Sequence, residues 1–238
     1  MRALHAVFFD AGNTLLYPWP SVAEVCRQVL GDSGHERDLS AIEALMPQVD
    51  QYYEDRYRAD DAFWANEEET VSVWVGMYSL LCRELGIDPD AVHIGRRVYD
   101  EFGRPDRWKV HEDVVPALER LKARGLALGV ISNWDRRLTT ILEGLGIRGY
   151  FDTVVSSADV GLRKPDPRIF ELACVRVGVS ATSAAHVGDH PYADVCGARS
   201  VGMHAVLVSR QNDEVCSAEQ DTACIQDFGR IEVALGLE

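Results

Sequence analysis

The stretch that decides the fold is Ala6-Val7-Phe8-Phe9-Asp10-Ala11-Gly12-Asn13-Thr14-Leu15. Four apolar residues closed by a carboxylate, a glycine and an asparagine read as a buried strand that delivers Asp10 into a sharp turn. Apolar runs of strand length recur at 126–131, 153–155, 184–187 and 205–208. Helical periodicity fills the intervals from Val114 to Ala123, Arg137 to Leu145 and Pro167 to Val177. Such alternation predicts an α/β fold in which helices cover both faces of a parallel sheet. Sites in these sheets lie beyond the carboxyl ends of the strands. Asp10, Ser132 and Asp189 stand there relative to their own runs, and Lys164 lies in the loop after the third. These residues are therefore expected to share one site.

Residues 17–108 read differently. Residues 21–30, 39–57, 67–85 and 91–102 look helical, and no strand is evident among them. Gly86 supplies a C-cap for one helix, and Asp88-Pro89 reads as the cap and first turn of the next. The segment is expected to be a helical insertion between the first strand and the rest of the sheet. The core then comprises residues 1–16 and 109–238.

A chain of 238 residues with 47% apolar content has ample material for two domains. Its net charge of −14 disfavours a nucleic-acid backbone or an anionic membrane surface as partner. The insertion holds 19 Asp and Glu against 9 Arg and no Lys, so most of the negative charge lies there. An anionic substrate must then depend on local cations. Cys26, Cys82, Cys174, Cys196, Cys216 and Cys224 are scattered without a Cys-x-x-Cys pair, which favours reduced thiols over a disulfide frame or a zinc site. No apolar run approaches the roughly 20 residues of a bilayer span. Asp10 interrupts any N-terminal leader, so a cytoplasmic protein is expected. Oligomeric state is left open.

Four strings carry the chemistry: the Asp10 turn, Ile131-Ser132-Asn133, Arg163-Lys164-Pro165-Asp166, and Gly188-Asp189 with Asp194. Asp166 and Pro167 form a helix start, placing Lys164, one of only three lysines, at its mouth. In order and spacing the four strings resemble the haloacid dehalogenase-like superfamily, a Rossmann-like core with a cap domain inserted after the first motif. The resemblance covers the chain outside residues 17–108. It implies a hydrolase, most often a phosphatase for a small phosphorylated metabolite, in which Asp10 forms an aspartyl-phosphate. It further implies that Thr14 supports the turn, Ser132 and the Asn133 backbone bind a phosphoryl oxygen, and Lys164 neutralises charge. Mg2+ would be held by Asp10, Asp189 and the Gly12 carbonyl, with Asp194 behind them, while His190 is expected to be structural. The strings 131–138 and 164–170 look most like the haloacid dehalogenase-like hydrolase domain-containing type 3 subgroup.

One departure stands out. Superfamily phosphatases usually carry a second Asp two residues after the nucleophile, serving as general acid and base, and here that position is Gly12. Such groups contribute about 10²–10⁴-fold, so poor leaving groups should be cleaved slowly. Haloacid dehalogenases and phosphonoacetaldehyde hydrolases also lack this Asp. The Asp189–Asp194 pattern is the metal-binding form, which argues against the first, and the Lys-free insertion argues against the second. A phosphate- or metabolite-binding protein without turnover is the alternative from another class.

Overall fold

The computed structural model describes residues 3–210 and 222–237. In chain order its strands are β1 (Ala6–Phe9), β2 (Leu16–Pro18), β3 (Trp108–Val110), β4 (Ala127–Ser132), β5 (Thr153–Ser156), β6 (Ala184–Gly188), β7 (His204–Val208) and β8 (Ala223–Ile225). Six of them form one sheet in the order β5-β4-β1-β6-β7-β8, each neighbour parallel. The fold is the predicted α/β, Rossmann-like one. β1 lies in the middle of the sheet, with Phe9 opposite Val130 on one side and Val187 on the other.

Strand pleating sends alternate side chains of β1 to opposite faces. Val7 and Phe9 pack with Leu118, Leu128 and Phe228, whereas Ala6 and Phe8 pack with Ile131, Ile169 and Phe170. All four β1 side chains are fully buried, consistent with a strand covered on both faces. The chain therefore has its β1 register fixed on two sides before it reaches Asp10.

Between β2 and β3 lie α1 (Val22–Asp32), α2 (Leu39–Glu43), α3 (Met46–Ala59), α4 (Glu67–Glu84) and α5 (Ala91–Glu101). They bury a core of their own that includes Val25, Leu30, Ile42, Met77, Leu81, Ile94 and Val98. Ser21 caps α1 by accepting from the Glu24 N–H, and Asn66 caps α4 by accepting from the Glu69 N–H, both at 3.1 Å. Three glutamates in the first turn of α4 complement its dipole.

The structure departs from the sequence reading in four places. The single helix expected over 39–57 is two, because Pro47 has no N–H and fits only a first turn, so α3 restarts at Met46. Helix α5 begins at Ala91, and Asp90, not Asp88, occupies its cap position. The entry and exit of the helical segment pair as an antiparallel ribbon, with Pro18 opposite Trp108. Their short runs and lone Pro concealed both strands. Finally, Cys224 is disulfide-bonded, while Cys26, Cys82, Cys174 and Cys196 are free. The reduced-thiol reading therefore fails at Cys224, where scattered spacing carried no signal of pairing, and its part at Cys216 lies outside the described residues. Among the described residues no helix is long and apolar enough to cross a membrane.

Candidate active site

Asp10 leaves the sheet at the end of β1, its N–H donating to the Val187 carbonyl at 2.9 Å. Its Oδ1 accepts from the Ser132 hydroxyl at 2.9 Å and from Lys164 Nζ at 2.5 Å. Ser132 reaches it because β4 lies beside β1 and, with Phe9 opposite Val130, ends two residues further on. Lys164 comes from the loop before the helix Pro167–Val177, whose start is capped by Asp166 accepting from the Arg168 N–H at 2.9 Å. The Asn133 side chain clamps the Lys164 backbone, accepting from its N–H at 2.8 Å and donating to its carbonyl at 3.0 Å. The lysine is thus fixed at its backbone by one strand end and at its ammonium by two carboxylates.

The second of these is Asp194, whose Oδ1 lies 2.5 Å from Lys164 Nζ. The same oxygen accepts from His186 Nε2 at 2.7 Å, and Oδ2 accepts from the His190 N–H at 3.0 Å. Asp194 sits in a π-helical turn, Pro191–Cys196, which His190 caps by accepting at Nδ1 from Tyr192 and Ala193. Its approach depends on Gly188, since a Cβ there would lie 2.2 Å from Asp194 Cγ. Burial would raise the Asp194 carboxyl, but the Lys164 ammonium and the His186 bond hold it well below the usual carboxylate range. Burial likewise opposes charge on Lys164, and Asp10 and Asp194 more than offset it, leaving the ammonium firmly protonated. Burial lowers His186 and keeps it neutral.

Asp10, Asp189 and Asp194 each offer an oxygen within 4.8 Å of the others. Both oxygens of Asp194 are already committed, so Asp10 and Asp189 are the carboxylates with open lone pairs. Burial, then the charges of Asp10 and Asp194, push Asp189 up to about 8. Burial also raises Asp10, against the pull of Lys164. A cluster of hard oxygen donors carrying this unrelieved repulsion suits a divalent cation such as Mg2+. The Gly12 carbonyl accepts from the Thr14 N–H at 2.6 Å, and Asn13 between them takes a left-handed φ of 53° and bonds Asp189. The Thr14 hydroxyl is buried with no hydrogen-bond partner among the described residues, while its carbonyl accepts from Arg210 at 2.9 Å.

A cavity of about 470 Å³ opens above these groups, roofed by α3, α4 and α5. Core and roof are tied at several points. Arg163 Nε donates to Asp61 at 2.7 Å, the Arg136 N–H to Glu67 at 3.0 Å, and the Tyr99 hydroxyl to Asp135 at 3.1 Å. The roof contributes mainly aromatic side chains, among them Tyr53, Tyr57, Trp64 and Trp74. Trp134, from the loop after β4, lies against Gly12, and a Cβ on residue 12 would sit 3.3 Å from its ring.

The structure thus brings Asp10, Gly12, Ser132, Asn133, Lys164, Asp189 and Asp194 to one cavity. Thr14 lies behind the turn, buried and outside the lining. Sequence reasoning missed three features: His186 under Asp194, the Asn133 side-chain clamp, and the aromatic wall that includes Trp134. His186 carried a signal, as a polar residue inside an otherwise apolar strand. The wall carried none, because aromatics at helical spacing read as helix core.

Residues 4–202 match the haloacid dehalogenase-like hydrolase family. The Haloacid dehalogenase-like hydrolase domain-containing protein 3 of Danio rerio is 32% identical over 216 residues, covering 87% of this chain and 86% of that protein. The mouse protein of the same name is 46% identical over 124 residues, 51% of this chain, and the match spans about half (49%) of its length. A Thermus thermophilus protein named phosphoserine phosphatase is 31% identical over 229 residues, covering 86% of this chain and 88% of that one. Among solved structures, a HAD phosphatase from Thermococcus onnurineus superposes with a TM-score of 0.66 at 26% identity, covering 99% of both chains. The chain belongs to the haloacid dehalogenase-like hydrolase family.

Proposed function

We propose that this protein is a Mg2+-dependent phosphatase for a small phosphorylated molecule, with Asp10 as nucleophile. The observation that carries the reading is the position of Lys164 Nζ, 2.5 Å from both Asp10 and Asp194 at the floor of a roofed cavity. A buried ammonium there offsets charge that develops as a phosphoryl group moves. Asp10 presents the attacking carboxylate oxygen, and Ser132 and the Asn133 backbone orient the phosphoryl oxygens. Asp10, Asp189 and the Gly12 carbonyl would hold Mg2+, with Asp194 supporting the site through Lys164 and His190. Once bound, the ion screens the repulsion between carboxylate and phosphate and polarises the phosphoryl group. The roof excludes water and carries the contacts that select the rest of the substrate.

Gly12 favours a second reading, a phosphate-binding protein without turnover, since no side chain at this position can carry a proton to the leaving oxygen. Acetyl phosphate separates the two, because acetate leaves without an added proton. Phosphate release by the wild type that is lost in Asp10→Asn supports the phosphatase. Release that survives the substitution removes Asp10 as nucleophile. The binding protein is favoured if acetyl phosphate is not hydrolysed while Mg2+ binds by calorimetry.

A further inference from the structure

Resting on the phosphatase reading, we propose that the substrate is an aryl phosphate, the phosphate ester of a phenolic hydroxyl on a flat aromatic group bearing no carboxylate or second phosphate.

The first observation is a ladder of rings along the cavity wall. Tyr53 stacks on Trp74 with centroids 5.6 Å apart and 17° between planes, Trp74 on Tyr78 at 6.4 Å, and Tyr78 on Phe102 at 5.9 Å. Phe102 then meets Trp108 at 5.8 Å, and Trp108 meets Trp134 at 4.9 Å. All six line the cavity. The ladder runs from the roof, across the ribbon, to the ring that lies against Gly12. Flat apolar groups gain both burial and offset-stacking contacts on such a wall.

The second observation is charge. The cations among the described lining residues are Lys164 and Arg137. Lys164 is committed to Asp10 and Asp194. Arg137 donates to Asp135 through Nε at 2.9 Å and Nη2 at 2.6 Å, and to the Tyr99 carbonyl. Glu54, the carboxylate lining the roof side, faces Arg58 at 3.7 Å. A second anion on the substrate finds no uncommitted cation there, and burying it unpaired is costly.

The third is the missing proton donor. Asp10 forms a bond to phosphorus, the phosphorus–oxygen bond to the aryl group breaks, and that electron pair leaves on the aryl oxygen. A phenol has a pKa of about 10, against about 15.7 for water, so a phenolate leaves without a general acid and an alkoxide does not. Water then attacks phosphorus, the bond to Asp10 breaks, and the carboxylate returns with release of inorganic phosphate and a proton. The Tyr57 hydroxyl lines the cavity, is buried, and has no partner among the described residues. It is available to donate a hydrogen bond to the aryl group or its departing oxygen. Burial pushes it up to about 12, so it stays protonated at neutral pH.

The test is kcat/KM for the full chain with Mg2+ on phenyl and 2-naphthyl phosphate, against O-phosphoserine, phosphocholine and acetyl phosphate. Preference for both aryl esters over both alkyl esters by at least about tenfold supports the proposal when phenylphosphonate also binds at least about tenfold tighter than methylphosphonate, because leaving-group ability favours aryl esters in turnover but not in binding. Acetyl phosphate turnover without aryl preference leaves the phosphatase intact and overturns the aryl substrate. So does a preference for phosphocholine, which would make the wall a cage for a cation. If nothing is hydrolysed the phosphatase fails, and calorimetry with phenylphosphonate and methylphosphonate still decides recognition. Binding of the phenyl compound at least about tenfold tighter supports the aryl site, and equal affinity removes it.

Discussion

The indole of Trp134 covers the place where residue 12 would carry a side chain, 3.3 Å from a Cβ built on Gly12. The Trp134 backbone is pinned, its N–H donating to the Ser157 hydroxyl at 3.0 Å and its carbonyl accepting from Ser156 at 2.7 Å. A methyl group at residue 12 requires the ring to give by a few tenths of an ångström, and a carboxylate directed toward the ring requires more. At this site the space beside residue 12 holds an apolar ring and no proton donor.

Gly12→Asp alone should therefore fail to speed hydrolysis of an alkyl phosphate such as O-phosphoserine. Combined with Trp134→Ser, which clears the space, it should raise kcat/KM on that substrate by about 10²-fold over Gly12→Asp alone, within the usual range for a general acid. Steady-state kinetics of the two variants decides. Equal rates would show that Trp134 is not what keeps an acid out.

Asp194→Asn should destabilise the fold by about 3–5 kcal/mol in urea denaturation, because it leaves Lys164 buried with half its compensation. Asp194 is 1% exposed and Lys164 2%. With its carboxyl held well below the usual range, Asp194 stabilises the fold above the ordinary carboxylate range, and that contribution is lost as pH falls through its folded value. The acid limb of the wild-type stability curve should be steeper than that of the variant. Parallel limbs would contradict the pairing.

Asp189 has the opposite sign. Its carboxyl is pushed up to about 8, so the folded state holds a proton there that the unfolded state releases near about 3.9. Metal-free stability from this group should decline as pH rises between those values and level off above 8. Thermal denaturation in EDTA should show the decline, Asp189→Asn should flatten it, and Mg2+ should raise Tm more at pH 8.5 than at pH 6. A Mg2+ effect independent of pH would remove Asp189 from the ligand set.

The sheet and its floor were legible because each of Asp10, Ser132 and Asp189 closes its own apolar run, and a parallel sheet gathers such ends. Lys164 was legible from the Asp166-Pro167 helix start beside it. The role of Asp194 was legible only in part. Its contact with Lys164 requires Gly188 to be bare, a distance that no spacing encodes. The β2–β3 ribbon escaped because three-residue strands carry too little periodicity. The aromatic wall escaped because Tyr53 and Trp74 sit on different helices and Trp134 on the other half of the molecule, so their meeting is tertiary.

Gly12 also lacks the base that would activate water in the second half of the reaction. Dephosphorylation of Asp10 should then be slower than its phosphorylation by an aryl ester. Stopped-flow with p-nitrophenyl phosphate should show a burst of nitrophenolate close to one equivalent per active site, followed by a slower steady rate. A linear time course from the first turnover would place the slow step before phenolate release.

If the protein is the proposed phosphatase, a phosphoryl group passes through Asp10, whose Oδ1 lies 2.5 Å from Lys164 Nζ. Acid quenching during turnover of acetyl phosphate, followed by peptide mass spectrometry, tests it most directly. The expected result is an acid-stable, hydroxylamine-sensitive phosphoryl group on the peptide containing Asp10, absent from Asp10→Asn. Turnover with the label on another residue, or with none trapped under burst conditions, would contradict it.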